Sequence, residues 1–140
     1  MQRPPSLLVH GASGGISTAL IQMGCAAGFE LWATTRNDEG AAIAGHLGAN
    51  RLFRHGDQLP RRADAVVDNI GVVTCADSLR AVECGGVVVI NGVTTGHAAE
   101  IDVLCIFVEQ IDIRGTIMGT LEEMKAMMQF IIRPFSTQAA

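Results

Sequence analysis

The residues best suited to chemistry stand together near the start of the chain, as His10-Gly11-Ala12-Ser13-Gly14-Gly15-Ile16-Ser17. Glycine in such a run permits a tight turn and lets the backbone approach a bulky anion with no Cβ in the way. Where the turn opens a helix, the first free N–H groups and the positive end of the helix dipole favour phosphate. The run therefore reads as a nucleotide-binding turn, with contacts expected from Ala12, Ser13, Gly14, Gly15 and Ile16. A second group, Thr34-Thr35-Arg36-Asn37, follows about 20 residues on, where a dinucleotide site holds its ribose. An acid there favours NAD; a missing acid with a nearby cation favours the 2′-phosphate of NADP. No acid precedes Asp38, and Arg36 can hold a phosphate in bidentate fashion, so Thr35 and Arg36 point to NADP(H). From Arg36 to Arg62 five arginines face Asp38, Glu39 and Asp57, a local +2 in a chain of net charge −4. Within that group Arg61 and Arg62 read as solvated surface residues.

Positioning these groups requires strands and helices in alternation. Ser6–His10 reads as a buried strand running into the glycine turn, and Ile16, Leu20, Met23 and Ala27 as the inner face of the first helix, stopped at Gly28. Phe29–Thr35 is a second strand, rich in aromatic and β-branched residues. Asp38 is placed to cap a helix running to Leu47. Arg51–His55 is a weak third strand, followed by a polar loop over Gly56–Arg62. Ala65–Asn69 and Val87–Asn91 are further strands, with a helix capped by Thr74 between them. Ile101, Leu104, Cys105 and Val108 trace a helical stripe, Ile111–Thr116 a sixth strand, and Leu121, Met124, Met128 and Ile131 the inner face of a last helix capped by Thr120. The tail from Arg133 to Ala140 reads as frayed. Strand runs apolar on both faces belong to parallel sheets covered by helices, so the expected fold is α/β: a doubly wound, six-stranded parallel sheet, a Rossmann fold, in a single domain. Ligands of such sheets lie outside the carboxyl ends of the strands. This adds Asn69 and Gly71 after the fourth strand, and Asn91, Gly92 and Val93 after the fifth. Asp68 stands at a strand end, where an acid could serve as an acid/base group or as structural support.

Composition closes off other classes. At 140 residues and 49% hydrophobic content the chain can bury its own core. Its acidic balance argues against a general nucleic-acid binder. Cys25, Cys75, Cys84 and Cys105 show no metal-ligand spacing, and His10, His46, His55 and His97 form no ligand set, so no zinc is expected in this chain. Those histidines read as surface or strand-end residues. The uncharged stretch from Pro4 to Phe29 is broken by glycines and polar residues, which excludes a membrane span. A cytoplasmic protein is expected.

Several segments carry a family resemblance. LLVHGASGGISTALIQMG, LGANRLFRH, ADAVVDNIG, LRAVECGGVVVINGVTTG and IDIRGTIMGTLEEM follow in order from Leu7 to about Ile131. Together they resemble the nucleotide-binding domain of medium-chain dehydrogenases/reductases, especially zinc-binding-dehydrogenase and quinone-oxidoreductase-like members. The resemblance implies hydride transfer between NADPH and a carbonyl, enone or quinone. It places Asn69 and Gly71 near the adenosine-to-ribose stretch, and Asn91, Gly92 and Val93 near the nicotinamide. It also implies a separate catalytic domain, absent from residues 1–140, so no catalytic residue is assigned here. Subunits of that family pair through the sixth strand, which makes Ile111–Met118 the expected homodimer edge. Two positions depart from the pattern. Ser17 replaces a glycine, so looser helix packing is expected, and His55 stands where some members carry a tyrosine near the adenosine. The alternative is a non-catalytic, nucleotide-responsive binding or assembly module. Short-chain dehydrogenases share such a glycine turn but need a catalytic tyrosine, and this sequence has none.

Overall fold

The structure, a computed structural model, describes residues 2–132. Along the chain run β1 (Ser6–Val9), α1 (Gly15–Ala26), β2 (Glu30–Thr35), α2 (Asp38–His46), β3 (Arg51–Arg54), β4 (Ala63–Asp68), α3 (Val72–Ala81), β5 (Val82–Ile90), α4 (Val103–Glu109), β6 (Asp112–Gly115) and α5 (Leu121–Ile132). The strands form one parallel sheet in the order β3-β2-β1-β4-β5-β6. The doubly wound α/β expectation is therefore met. The direction of winding reverses at β1, with β2 on one side and β4 on the other.

Strand register sets the core. Leu8 pairs with Trp32 and Val66, and Val66 with Val88, so these four share one face of the sheet. They form one cluster with Leu79, Val82 and Ile111. On the opposite face Ala33 packs with Ile21 and Ala44, from α1 and α2. Trp32 is fully buried; its ring meets Phe53 edge-on at 5.9 Å and lies under the Arg61 guanidinium at 4.7 Å. At the amino ends of the strands, Asp64 accepts from the N–H and hydroxyl of Ser6 and pairs with Arg3.

Several sequence expectations need correction. The inner face of α1 is Ser17, Ile21 and Gly24, one residue along from the predicted stripe; Ile16 is half exposed. Gly24 sits so close to Leu31 that a Cβ would come within 3.2 Å of it, so small residues, not the largest ones, make this contact. Asn37, not Asp38, caps α2, accepting from the Gly40 N–H at 2.8 Å. Gly71 precedes α3, and Thr74 lies inside it. Strand β5 begins at Val82 rather than at Val87, with a register shift against β4 between Ala63 and Ala65. The stripes assigned to the last two helices are not internal: Leu104 and Val108 of α4 are exposed, as are Leu121, Met124, Met128 and Ile131 of α5. In α4, Cys105 and Ile106 make the core contact instead. Among the described residues the α5 stripe is not buried against the sheet, and helical periodicity alone does not show what lies opposite. The predicted frayed tail falls outside the described residues.

Candidate functional site

The glycine turn is built by hydrogen bonding from both neighbouring strands. The His10 N–H donates to Val67 and the Ala12 N–H to Thr34, while Gly14 closes the turn back onto Gly11 at 3.0 Å. Gly11 takes φ +73°, a conformation that favours glycine, and a Cβ there would stand 2.7 Å from Ile70 Cδ1, so Ile70 would have to move. Behind the turn Ser17 is fully buried. Its hydroxyl donates to the His10 carbonyl at 3.0 Å and accepts from Asn69 Nδ2 at 2.7 Å. This overturns the expectation of looser packing at Ser17: the hydroxyl replaces the missing close contact with two specific bonds that tie α1 to the ends of β1 and β4.

Helix α1 begins without a side-chain cap and without an acid in its first turn. Helix α3 likewise starts without a side-chain cap, whereas α2 is capped by Asn37 and α4 by Asp102. The first N–H groups of α1 are thus left without a side-chain acceptor, beside a cleft of about 740 Å³. That volume lies within the roughly 300–1,000 Å³ of small-molecule sites. The cleft lies at the carboxyl ends of the strands, where the winding reverses.

Of the residues predicted from sequence, Ala12, Ser13, Gly14, Gly15, Ile16, Thr35, Arg36, His55, Asn69 and Gly92 all line this cleft. Gly71, Asn91 and Val93 do not. Gly71 is buried behind the wall, at φ +101° and packed against Val93 and Gly96. Sequence reasoning missed Ile70, Val73 and Thr74 as wall residues, together with Thr94 and Thr95. The threonines bind back to β4's end: Thr94 Oγ1 donates to Asn69 O, and Thr95 Oγ1 to Ile70 O. A pair of hydroxyl residues just beyond a strand-end glycine was the available signal.

Asp68 supports the cleft without entering it. Its buried carboxylate accepts from Ser78 Oγ at 2.6 Å, Thr74 Oγ1 at 2.7 Å, and the N–H groups of Ile70 and Gly71. Burial opposes its charge, but the bonds from Ser78, Gly71, Thr74 and Ile70 outweigh that and hold its pKa below the usual carboxylate value. The placement agrees with a structural role. His10 is buried rather than at the surface, with Nδ1 2.9 Å from Thr34 Oγ1; burial lowers its pKa and keeps the ring neutral.

The arginines separate by their partners. Arg51 pairs with Glu30, Arg54 with Asp38, Arg61 with Glu30, and Arg62 with Glu109. Among the described residues Arg36 has no carboxylate partner, and it lines the cleft. Arg61 and Arg62 are therefore structural ion-pair partners rather than merely solvated charges. No group of three His, Cys, Asp or Glu side chains among the described residues is placed to hold a metal ion.

A sequence profile of the zinc-binding dehydrogenase family matches residues 15–133, and the chain belongs to that family. It is 29% identical over 140 aligned residues to the zinc-type alcohol dehydrogenase-like protein YogA of Leptosphaeria maculans, covering 90% of this chain and 39% of YogA. It is 30% identical over 97 residues to the quinone oxidoreductase of Rattus norvegicus, covering 62% of this chain and 30% of that protein. The chain thus spans well under half the length of these relatives. Among solved structures, the 2-octenoyl-CoA carboxylase reductase CinF in complex with NADP superimposes with a TM-score of 0.86 at 22% identity, over 94% of this chain and 36% of CinF. Another fold neighbour is an NAD-dependent alcohol dehydrogenase, so the choice between the two cofactors rests on this chain's own residues.

Proposed function

We propose that this chain is the cofactor-binding unit of an NADPH-dependent oxidoreductase. The observation that carries the reading is the uncapped amino end of α1 facing a cleft at the winding reversal of the sheet. The residues present fit a nicotinamide dinucleotide. Ser13, Gly15 and Ile16 offer backbone donors, and the start of α1 its positive dipole end, to a pyrophosphate, with Ala12 and Gly14 holding the turn in shape. Arg36 offers its guanidinium to a 2′-phosphate, with Thr35 beside it. Asn69 and Gly92 border the remaining length of the cleft, and His55 closes one side. Such a cofactor supplies the hydride; the chain's own residues bind it, orient it and shield it from water.

The proposed parent reaction is hydride transfer to a carbonyl, enone or quinone, as the names of the relatives suggest. The residues that grip the substrate are proposed to lie in the part of the relatives' length that this chain does not span. NADPH oxidation by the purified chain, assayed with a quinone and enone panel, tests the assignment. NADPH binding with no turnover is expected. Turnover would make the chain an enzyme in its own right, and absence of NADPH binding would overturn the reading.

Pairing is proposed through β6. It forms one edge of the sheet, and every residue of it is exposed. Next to it Phe107, Ile117 and Met118 are 76%, 86% and 88% exposed, and an uncovered apolar edge favours a partner.

A further inference from the structure

The N–H groups of Ser13, Gly15 and Ile16 stand on a part of the backbone with few side chains to hold it. Three of the five residues from Gly11 to Gly15 are glycine, and α1 starts without a side-chain cap. Around Gly15 the space is open: a Cβ there would meet nothing within 4 Å. Donors that a ligand must itself set in order bind more weakly than donors already in place, because the ordering costs free energy on binding.

Beneath the turn the contacts are close. Ser17 lies in the first turn of α1 and is 0% exposed, so its side chain is out of reach of a ligand in the cleft. Its hydroxyl oxygen is 3.8 Å from the position a Gly14 Cβ would take. The one hydroxyl proton goes to His10 O at 3.0 Å, and the oxygen accepts from Asn69 Nδ2 at 2.7 Å. The same amide reaches the other end of the turn, where Asn69 Oδ1 lies 3.3 Å from the position of a Gly11 Cβ. The bond to Ser17 fixes which way this amide lies. Turned over, it would set Oδ1 against a hydroxyl whose single proton serves His10. Asn69 and Ser17 thus pass under the whole turn, from Gly11 to the first turn of α1, and join it to the end of β4.

On the dinucleotide reading of the cleft, on which this rests, we propose that Ser17 and Asn69 are a positioning pair for the pyrophosphate. Their bond holds the N–H groups of Ser13, Gly15 and Ile16 where a dinucleotide needs them. Ser17 acts on the ligand through the backbone it anchors and never touches it.

Calorimetric titration of the native chain, Ser17→Ala, Asn69→Ala and the double variant with NADPH tests the pair, with helix content checked by circular dichroism. Ser17→Ala is expected to weaken NADPH and NADH binding alike, by about tenfold, the equivalent of one hydrogen bond. The double variant should bind no more weakly than Asn69→Ala alone, since both changes remove the same bond. Ser6→Ala is the comparison. It removes an equally buried hydroxyl at the other end of β1, bonded to Asp64 and Arg61, and should cost stability while leaving NADPH affinity unchanged. A second readout needs no cofactor. In the ligand-free chain Asn69→Ala should shift the amide NMR signals of Ser13, Gly15 and Ile16, although Asn69 is 52 residues from Ser17 in sequence. It keeps the pair testable if the Ser17 variant does not fold. Unmoved signals, additive losses in the double variant, an equal loss in Ser6→Ala, or Ser17→Ala affinity within about twofold of native would overturn the pair's role while native NADPH binding stands. A native chain that binds no NADPH would overturn the cofactor reading itself, and this role with it.

Discussion

Among the described residues Arg36 stands at the cleft without a carboxylate partner, whereas Arg51, Arg54, Arg61 and Arg62 are each held by an acid. A charge-assisted bond to phosphate is worth about 1.5–3 kcal/mol. Arg36→Ala should therefore weaken NADPH binding by about tenfold to a hundredfold and leave NADH binding unchanged, as read by titration of both cofactors. Asp68 acts on stability instead. Asp68→Asn should cost about 1–3 kcal/mol in urea unfolding at neutral pH, because a donor group is forced among donors. Its folded pKa is lowered, so its contribution is complete above the ordinary carboxylate value and is lost as pH falls through the folded value. Asp64 follows the same sign, with its share lost between 3.8 and about 2. Acid unfolding of the Asp68 variant should accordingly be less steep than that of the native chain. The placement of the glycine turn and of Arg36 at the cleft was legible because both are local in sequence. Ser17 was misread because its value lies in Asn69, a residue brought beside it only by the pairing of β1 with β4.

At the level of elements, α1 shows how a buried face can hide in a sequence. Ser17, Ile21 and Gly24 face the sheet because Leu31 must come close, and the larger Ile16 is left for the cleft. Gly24→Val should destabilise the fold by about 1–3 kcal/mol through overpacking against Leu31, measurable by thermal or urea unfolding. The strands were legible as apolar, β-branched runs. The inward faces of α4 and α5 were not, since nothing in a periodic stripe says whether a surface waits opposite. Strand β6 carries its own prediction. Thr116 N–H donates inward to Ile90, so along the alternating backbone the Ile113 N–H points to the open edge. Light scattering should show a dimer for the native chain and a monomer for Ile113→Pro with its helix content retained. A native chain that stays monomeric at high micromolar concentration would remove this pairing.

Across the whole molecule, burial, winding and charge converge on one place. The sheet reverses at β1, α1 starts there uncapped, and among the described residues Arg36 is the arginine along 36–62 with no acid partner. The exposed apolar surface gathers at the opposite, β6 side, around α4 and α5. On the proposed reading, one half of the molecule holds a dinucleotide and the other is covered by protein. The central claim is that the cleft takes NADPH in preference to NADH. Calorimetric titration of the chain with each cofactor tests it directly. One site per chain and tighter NADPH binding, by about tenfold or more, are expected; equal affinity, tighter NADH binding or no heat from either cofactor would contradict it.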